Sequence, residues 1–370
     1  MDVQNPDYNM KSDSLQYNSR SKVIYFVTTT TVTDMEGNTF VYEDGEYNTS
    51  MRKSILGSGT AETPEYQLKG ARYSLDDIRK VYHVSGNVVM TSKKENLIIY
   101  GQQADYYKNR GITKVYDHAY LAKVTDDNDT LFMRADTLVS IDNEDPAKKR
   151  LLAYHHVKIY KSDLQGVADS VEYRAPDSTI YFYQHPVLWS QGNQMTADSI
   201  SMLIENNTVS RIFLVANAFV ISQDTLVNYN QIKGRDMTAE VKQGKINRVY
   251  VDGNAESLYF VLDEKTMAFT GMNKMVCSSI LIRFKDGQVD NMTSYQQPDA
   301  HFIPPHELGK DQRALKGFTW LNDKRPTRAM VVENPVADPS EKKPDAATPK
   351  TQPKQSLPQK PRRRSNSDKQ

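Results

Sequence analysis

Aspartate is the chemically capable side chain that recurs most regularly in this sequence. Asp105, Asp136, Asp169 and Asp198 each follow an alanine, in copies that are about 30 residues apart. Carboxylates could bind calcium or act as a general acid and base. A calcium site needs about six to eight oxygens in one loop, and acid–base catalysis needs two carboxylates in one cleft. Each copy offers only one carboxylate, so we expect a structural role in which Asp accepts hydrogen bonds from local backbone amides.

The histidines do not form a recognisable metal site. His155 and His156 are adjacent, so along a strand they point to opposite faces and cannot easily bind one ion. His118 and His185 occupy similar places in their own copies, which indicates turn residues. Cys277 is the only cysteine, which excludes an internal disulfide and a thiolate cluster. No phosphate loop, nucleophile elbow or His-Glu-x-x-His motif is present. We therefore expect no enzyme activity, no cofactor and no metal.

The aspartates belong to a repeat that runs through most of the chain. Its copies begin with a small residue followed by Asp or a substitute, from Ser12-Asp13 to Gly271-Met272. Within each copy, apolar and polar residues alternate in two runs separated by turn residues, which predicts two strands per copy. Only residues 74–82 and 304–318 resemble helices. A parallel β-helix or a propeller fits this period less well. We predict an all-β fold, a repetitive antiparallel β-jellyroll or open two-sheet sandwich of stacked hairpins.

The sequence divides into three stretches. Residues 1–303 form the repetitive region, as one body or as two lobes of about 1–150 and 151–303, and residues 304–330 form a short helical or irregular closing segment. Residues 331–370 are rich in Pro, Lys and Arg and poor in large apolar side chains, which predicts a disordered tail. The basic cluster at 360–364 could contact anionic lipid or nucleic acid, but a solubilising role is more typical.

Charge and hydropathy exclude some classes of protein. The chain has 47 Lys+Arg and 46 Asp+Glu, a net charge of +1 that gives no reason to expect nucleic acid as a partner. No apolar run approaches the roughly 18 residues of a membrane-spanning helix. The first residues lack the basic start and apolar core of a secretion signal. Because the chain enters its repeat at once, we expect it to be an N-terminally truncated piece of a longer precursor.

Alternation assigns a set of apolar side chains to one face of the strands. In a closed sandwich that face is core, whereas in an open one it can line a groove for an acyl chain, and the residues alone leave both alternatives open. Burial of an acyl chain of about 14 carbons is worth about 10 kcal/mol. The candidate lipid-binding residues are Val88, Met90, Ile180, Phe182, Ile212, Leu214, Val249, Val251, Leu258 and Phe260.

One stretch resembles a known family. In "VYHVSGNVVMTSKKENLIIYGQQADYY" (81–107), the turn Gly86-Asn87-Val88 is followed by a strand, a polar turn, and then Gly101, Ala104 and Tyr106 or Tyr107. This order is similar to that of the OstA-like (organic solvent tolerance) family, which includes periplasmic lipopolysaccharide-transport proteins. The many repeats and the closing "LKGFTW…RP" (315–326) resemble its longer members from Bacteroidetes.

The resemblance implies a β-jellyroll whose open V holds the acyl chains of lipid A, with phosphates near Lys or Arg at the rim. It implies non-enzymatic binding and transfer of lipopolysaccharide during outer-membrane assembly, in the periplasm or at the outer membrane. Edge strands would stack against other envelope transport proteins or into a homo-oligomer. The alternative is a repetitive structural or surface-adhesion protein with no lipid ligand. A carbohydrate-active enzyme is a weaker hypothesis, because no clustered carboxylates can be named.

Overall fold

The computed structural model describes residues 2–5, 8–224, 226, 228–263, 265–285 and 288–332. Apart from residues 331 and 332, the tail predicted to be disordered lies outside the described residues. Nearly all regular structure is β-strand, and every strand pairing in the described part is antiparallel, which confirms the all-β prediction.

The strands of the first half are β1 (Asp2–Asn5), β2 (Tyr8–Ser12), β3 (Leu15–Asn18), β4 (Val23–Phe26), β5 (Thr30–Asp34), β6 (Thr39–Tyr42), β7 (Gly45–Asn48), β8 (Lys53–Leu56), β9 (Gly59–Glu62), β10 (Tyr66–Gly70), β11 (Arg72–Asp76), β12 (Val81–Ser92), β13 (Leu97–Tyr107), β14 (Ile112–Tyr116), β15 (Tyr120–Val124), β16 (Thr130–Arg134) and β17 (Thr137–Ile141).

The strands of the second half are β18 (Arg150–Tyr160), β19 (Leu164–Arg174), β20 (Thr179–Tyr183), β21 (Val187–Ser190), β22 (Asn193–Thr196), β23 (Ser199–Glu205), β24 (Thr208–Val215), β25 (Phe219–Gln223), β26 (Tyr229–Lys233), β27 (Asp236–Lys242), β28 (Lys245–Leu262), β29 (Phe269–Lys285), β30 (Gln288–Tyr295) and β31 (Asp299–Ile303).

Helices are short. Single 3₁₀ turns cover Lys108–Arg110, Pro146–Lys148, Lys310–Gln312 and Asn322–Lys324, and helix α1 covers Arg328–Val331. The helix expected at residues 74–82 is wrong, because that stretch contains the end of β11, a turn and the start of β12. Tyr73 of β11 is buried and pairs with Leu56 and Val84. Pairing on both sides of β11 therefore overrides the local helical pattern.

The strand pairings form one continuous ladder that is folded into two arms. The first arm has the order β1-β2-β5-β6-β9-β10-β12-β13-β15-β16-β18-β19-β21-β22-β25-β26-β28-β29-β31. The second arm has the order β3-β4-β7-β8-β11-β12-β13-β14-β17-β18-β19-β20-β23-β24-β27-β28-β29-β30. The long strands β12, β13, β18, β19, β28 and β29 belong to both arms. Each repeat therefore contributes one hairpin to the first arm and one hairpin to the second arm.

The corner where the chain returns from the second arm to the first has a common backbone conformation. From β12 onward, two consecutive residues adopt positive φ at each such corner, among them Gly86-Asn87, His155-His156 and Gly253-Asn254. These pairs produce register shifts inside β12, β18 and β28, so each strand bends from one arm into the other. Asp117-His118 and Gln184-His185 repeat the conformation, so the histidines predicted to be turn residues lie at these corners.

Small residues line the crease where the two arms meet. Ala119, Ala218 and Ala255 are fully buried there, and a Cβ added at Gly234 would lie 2.6 Å from the Cγ1 of Val251. Such contacts leave no room for a larger side chain. Among the residues that begin copies of the repeat, Gly234 is restricted in this way, and Ala104, Ala135 and Ala197 are buried at the same approach of the two arms.

Candidate lipid-binding interior

Each arm presents one continuous apolar row to the space between the arms. In the first arm, cross-strand register joins Met10, Val32, Phe40, Ala61, Leu68, Met90, Ile99, Leu121, Met133, Ile159, Gly166, Leu188, Met195, Val220 and Ile232. In the second arm, it joins Phe26, Gly45, Leu56, Tyr73, Val84, Ala104, Val115, Leu138, Ala153, Val171, Phe182, Ile200, Leu214, Met237, Val251 and Ile280. Most of these residues belong to a single hydrophobic cluster.

Eight of the ten candidate lipid-binding residues face this interior. Val88, Phe182, Ile212, Leu214 and Val251 are buried in the cluster, while Ile180 and Val249 are partly buried against it. Met90 lies in the first-arm row between Leu68 and Ile99 and is partly buried.

Leu258 and Phe260 lie on the opposite face of the first arm. They belong to a second hydrophobic cluster with Phe219, Ile221, Met272 and Leu315. Strand β28 is continuous for 18 residues, so its alternation places Leu258 opposite Val249 and Val251. The sequence pattern did not show that Leu258 and Phe260 lie on the outer face, because both faces of the first arm are apolar at β28.

The outer face is apolar because the chain's own closing segment covers it. We call residues 304–332 the strap. Leu308, Phe318 and Trp320 of the strap pack against the second cluster, and Val331 of α1 is fully buried where α1 contacts β16 and β18. The strap therefore crosses the outer face from β31 back to β16.

Three buried glutamines hold the strap in place. Gln231 donates through Nε2 to the carbonyl oxygen of Arg313 (2.9 Å) and accepts from the amide of Leu315 (2.8 Å). Gln194 makes the same pair of bonds with Thr319 and Leu321, at 2.7 Å each.

The third glutamine, Gln165, accepts from Nε of Arg325 at 2.7 Å. In cross-strand register, Gln165, Gln194 and Gln231 alternate with Trp189 and Ile221. Gln194 and Gln231 thus fix the backbone of the strap and Gln165 fixes the Arg325 side chain, while the apolar residues between them pack against the strap. A sequence signal was present and was missed, since each Gln lies three residues before the small residue of its copy.

The interior is more exposed in one section than in another. The mouth is the gap between the free rims of the two arms, on the side away from the crease where the arms meet. A further row of interior-facing side chains runs parallel to the second-arm row, on its mouth side. Where this row crosses β13 and β18, Tyr106 is 38% exposed and Leu151 is 40% exposed, whereas Met202 on β23 is 1% exposed and Ile282 on β29 is 0% exposed. We call the interior over β10–β18 the open section and the interior over β19–β29 the shut section.

Tyrosines mark the mouth of the open section. Tyr82 and Tyr106 lie 6.1 Å apart between ring centroids, and the Tyr82 hydroxyl donates to Asp77 at 3.1 Å. Burial raises the pKa of Tyr106 and of Tyr66, as it does that of Tyr82. A tyrosine ring has an apolar body and a polar end, so these side chains suit the boundary between an apolar floor and water.

Lysines at the rims of the open section already have carboxylate partners. These ion pairs are Lys93 with Glu62 (2.6 Å), Lys94 with Glu65 (2.5 Å) and Lys149 with Asp142 (2.9 Å). An anionic headgroup would have to compete with these carboxylates. The rim therefore presents both signs of charge, and its exposed pairs are individually weak.

The repeated aspartates bond side chains and not the backbone amides that we expected. Asp105 lies 2.7 Å from Nδ1 of His83 and accepts from the Tyr116 hydroxyl at 3.2 Å. His156 lies 2.8 Å from Asp136, and His155 lies 3.3 Å from Asp169. Adjacent histidines therefore bond different aspartates, in agreement with their expected separation.

Asp198 accepts from the side-chain amide of Asn217 at 3.1 Å. The expected bond to a backbone amide occurs instead at Asp236, which accepts from Ala216 at 3.0 Å. Within the described residues, no group of three or more His, Cys, Asp or Glu side chains is arranged to hold a metal ion. None of the helices in the described part of the chain has the length and apolar character that a membrane span requires.

Comparisons with known proteins give limited similarity. No protein-family model matches the chain, and no curated protein matches it. Among solved structures, the chain is similar to LptH from Pseudomonas aeruginosa, the LptA-homologous periplasmic component of the lipopolysaccharide transport device, at 16% identity and a TM-score of 0.27. That match covers 31% of this chain and 79% of LptH. A second match, to the WD40 domain of SCAP from fission yeast, has 6% identity and a TM-score of 0.14, and covers 79% of this chain and 87% of that domain.

Proposed function

We propose that this protein binds an acyl lipid between its two arms and transfers it without catalysing a reaction. The observation that carries the proposal is the apolar interior, whose rows run from β2 to β26 in the first arm and from β4 to β29 in the second. In the open section the first-arm row is partly exposed at Met90, Ile99 and Leu121, and Tyr106 and Leu151 reach water beside the buried second-arm row. Apolar side chains that remain exposed on the inside of a two-layered fold cost free energy unless a ligand covers them.

Lipopolysaccharide is the lipid that we propose, with the periplasm as the site of action. The sequence resemblance at residues 81–107 supports this choice. LptH belongs to a lipopolysaccharide transport device, but the structural similarity is too low to add weight. The paired lysines at the rim do not favour a strongly anionic headgroup, so the acyl chains would supply most of the binding free energy.

Edge strands provide the surfaces for the proposed stacking with other envelope proteins or with further copies. In the described part of the chain, β1 and β3 pair on one side only, as do β30 and β31 at the opposite end. Tyr17 of β3 and Phe302 of β31 are more than half exposed. Unpaired edges with exposed aromatic side chains favour strand addition.

The shut section favours the alternative, a structural or surface-adhesion protein with no lipid ligand. Its interior side chains, such as Leu188, Met195 and Met202, are fully packed by protein. If the open section also closed in solution, no lipid site would remain.

Native mass spectrometry of the purified chain, after incubation with purified lipopolysaccharide, tests the proposal. We expect the mass of the protein to increase by the mass of the lipid. The Leu151→Asp variant should show no such increase. Tyr154→Asp is the matched control, because Tyr154 lies on the outer face of the same strand with the same exposed fraction of 40%. An absence of bound lipid in the unmodified chain, under conditions that keep lipid on a known carrier, would overturn the proposal.

A further inference from the structure

Among the described residues, hydrogen bonds and ion pairs between turns join the rims of the two arms at three places. Lys108, at the rim of the second arm, bonds Glu36 at the rim of the first arm at 3.0 Å. Asn207 of the second arm donates to Asp126 of the first arm at 2.9 Å.

The third bridge lies in the shut section, where Gln191 of the first arm donates to the carbonyl oxygen of Gly244 in the second arm at 3.0 Å. All three bridges use turns that connect neighbouring strands at the rims. They therefore close the mouth between the arms without contributing to the apolar interior.

The bridges enclose sections with different interiors. Between the first and second bridges lie the partly exposed side chains of Met90, Ile99 and Leu121 in the first arm, with Leu151 in the second. In the section around the third bridge Leu188, Met195 and Met202 are buried, while Val220, Val241 and Val249 are partly buried. Water therefore reaches the first-arm row and Leu151 in the open section, although polar contacts bound this section at both ends.

The strap braces the outer face along the shut section and reaches the open section only at β16 and β18. Its bonds to Gln165, Gln194 and Gln231 fix the outer face of the first arm from β19 to β26. Toward β1, the outer face carries polar side chains such as Thr39 and Gln67. In the shut section the first arm therefore packs against the strap on its outer face and against the second arm on its inner face. In most of the open section it packs against the second arm alone.

We propose that lipid enters sideways through the mouth of the open section, by separation of the rims between the Glu36–Lys108 and Asp126–Asn207 bridges, while the strap-braced section stays shut. This inference rests on the proposed function. The bridges are few and exposed, so parting them costs far less than opening the packed shut section. An acyl chain that replaces the contact between the parted rows would stabilise the open state.

A cleavable thiol crosslinker tests the route. In a Cys277→Ala background, the pair Glu36→Cys and Lys108→Cys would be joined by a short bis-maleimide with an internal disulfide. The matched control joins Gln191→Cys and Lys245→Cys at the third bridge. Uptake of purified lipopolysaccharide would be followed by native mass spectrometry, with hydrogen exchange to confirm that each crosslinked protein remains folded.

We expect the Glu36–Lys108 crosslink to reduce uptake about tenfold and reductive cleavage to restore it, whereas the control crosslink changes uptake by less than about twofold. Normal uptake with the first crosslink, or equal loss with both, would overturn sideways entry and leave the proposed function intact. Failure of the uncrosslinked variants and of the unmodified chain to take up lipid would overturn the proposed function and this inference with it.

Discussion

The open and shut sections use the same architecture with different side chains. One interior row of the second arm carries Tyr106 and Leu151 in the open section but Met202 and Ile282 in the shut section. The corners, the register and the small residues at the crease between the arms are common to both sections. Pairing of strands therefore fixes where the arms lie, and the side chains of one row, together with the strap, decide whether the space between them is filled by protein.

Introducing a charge into each section would give the largest contrast. We expect Leu214→Asp to destabilise the chain by about 4 kcal/mol or more, because a buried carboxylate would lie without a partner in the shut section. Leu151→Asp should cost less than about 1 kcal/mol, because that side chain already reaches water. Urea denaturation followed by circular dichroism measures both, and equal losses would show that the sections do not differ.

Weakening the strap at Gln231 should affect the shut section alone. Gln231→Ala leaves the carbonyl oxygen of Arg313 and the amide of Leu315 without their partner, so we expect a loss of about 2 kcal/mol and faster hydrogen exchange in residues 304–332. Gln223→Ala, on the exposed end of the adjacent strand β25, is the control and should change neither. Faster exchange over β10–β18 in the Gln231 variant would contradict the division into two sections.

Acid should loosen the rim near the second bridge before it affects the shut section. The hydrogen bond from Lys161, at 2.6 Å, is the main cause that lowers the pKa of Asp127 to about 2. A depressed carboxyl pKa stabilises the fold above about pH 4, the ordinary range of aspartate, and this contribution is lost as the pH falls through about 2.

The effect should be small, because Asp127 is exposed. In hydrogen exchange between pH 5 and pH 2.5, we expect the turns at residues 125–129 and 161–164 to lose protection first. The Asp127→Asn variant should lack this acid response. Simultaneous loss of protection in β25 and β26, which lie in the shut section away from the second bridge, would contradict this prediction.

Much of the fold could be predicted from the sequence because its determinants are local. Alternation identified the interior face of β20 and β24. The repeated small residue marked the place where the two arms approach each other, at Ala135 and Ala197. The corner pairs were harder to interpret, because Gly86-Asn87 has the composition of a hairpin turn but bends one long strand.

The exposure of the interior could not be predicted, because it depends on contacts between distant residues. The bond between Gln231 and Leu315 joins positions 84 residues apart, and the bridge between Glu36 and Lys108 joins positions 72 apart. The outer apolar cluster at Leu258 and Phe260 makes sense only once the strap covers it. Neither alternation nor composition reports which segment will return to cover a sheet.

Position-specific photo-crosslinking would test most directly the claim that lipid occupies the open section and not the shut one. A benzophenone side chain in place of Leu151, Met202 or Tyr154 samples the open interior, the shut interior and the outer face, respectively. After incubation with purified lipopolysaccharide and irradiation, we predict a lipid adduct at position 151 and none at positions 202 and 154. Adducts of equal yield at all three positions, or no adduct at position 151 in a folded protein, would contradict the account.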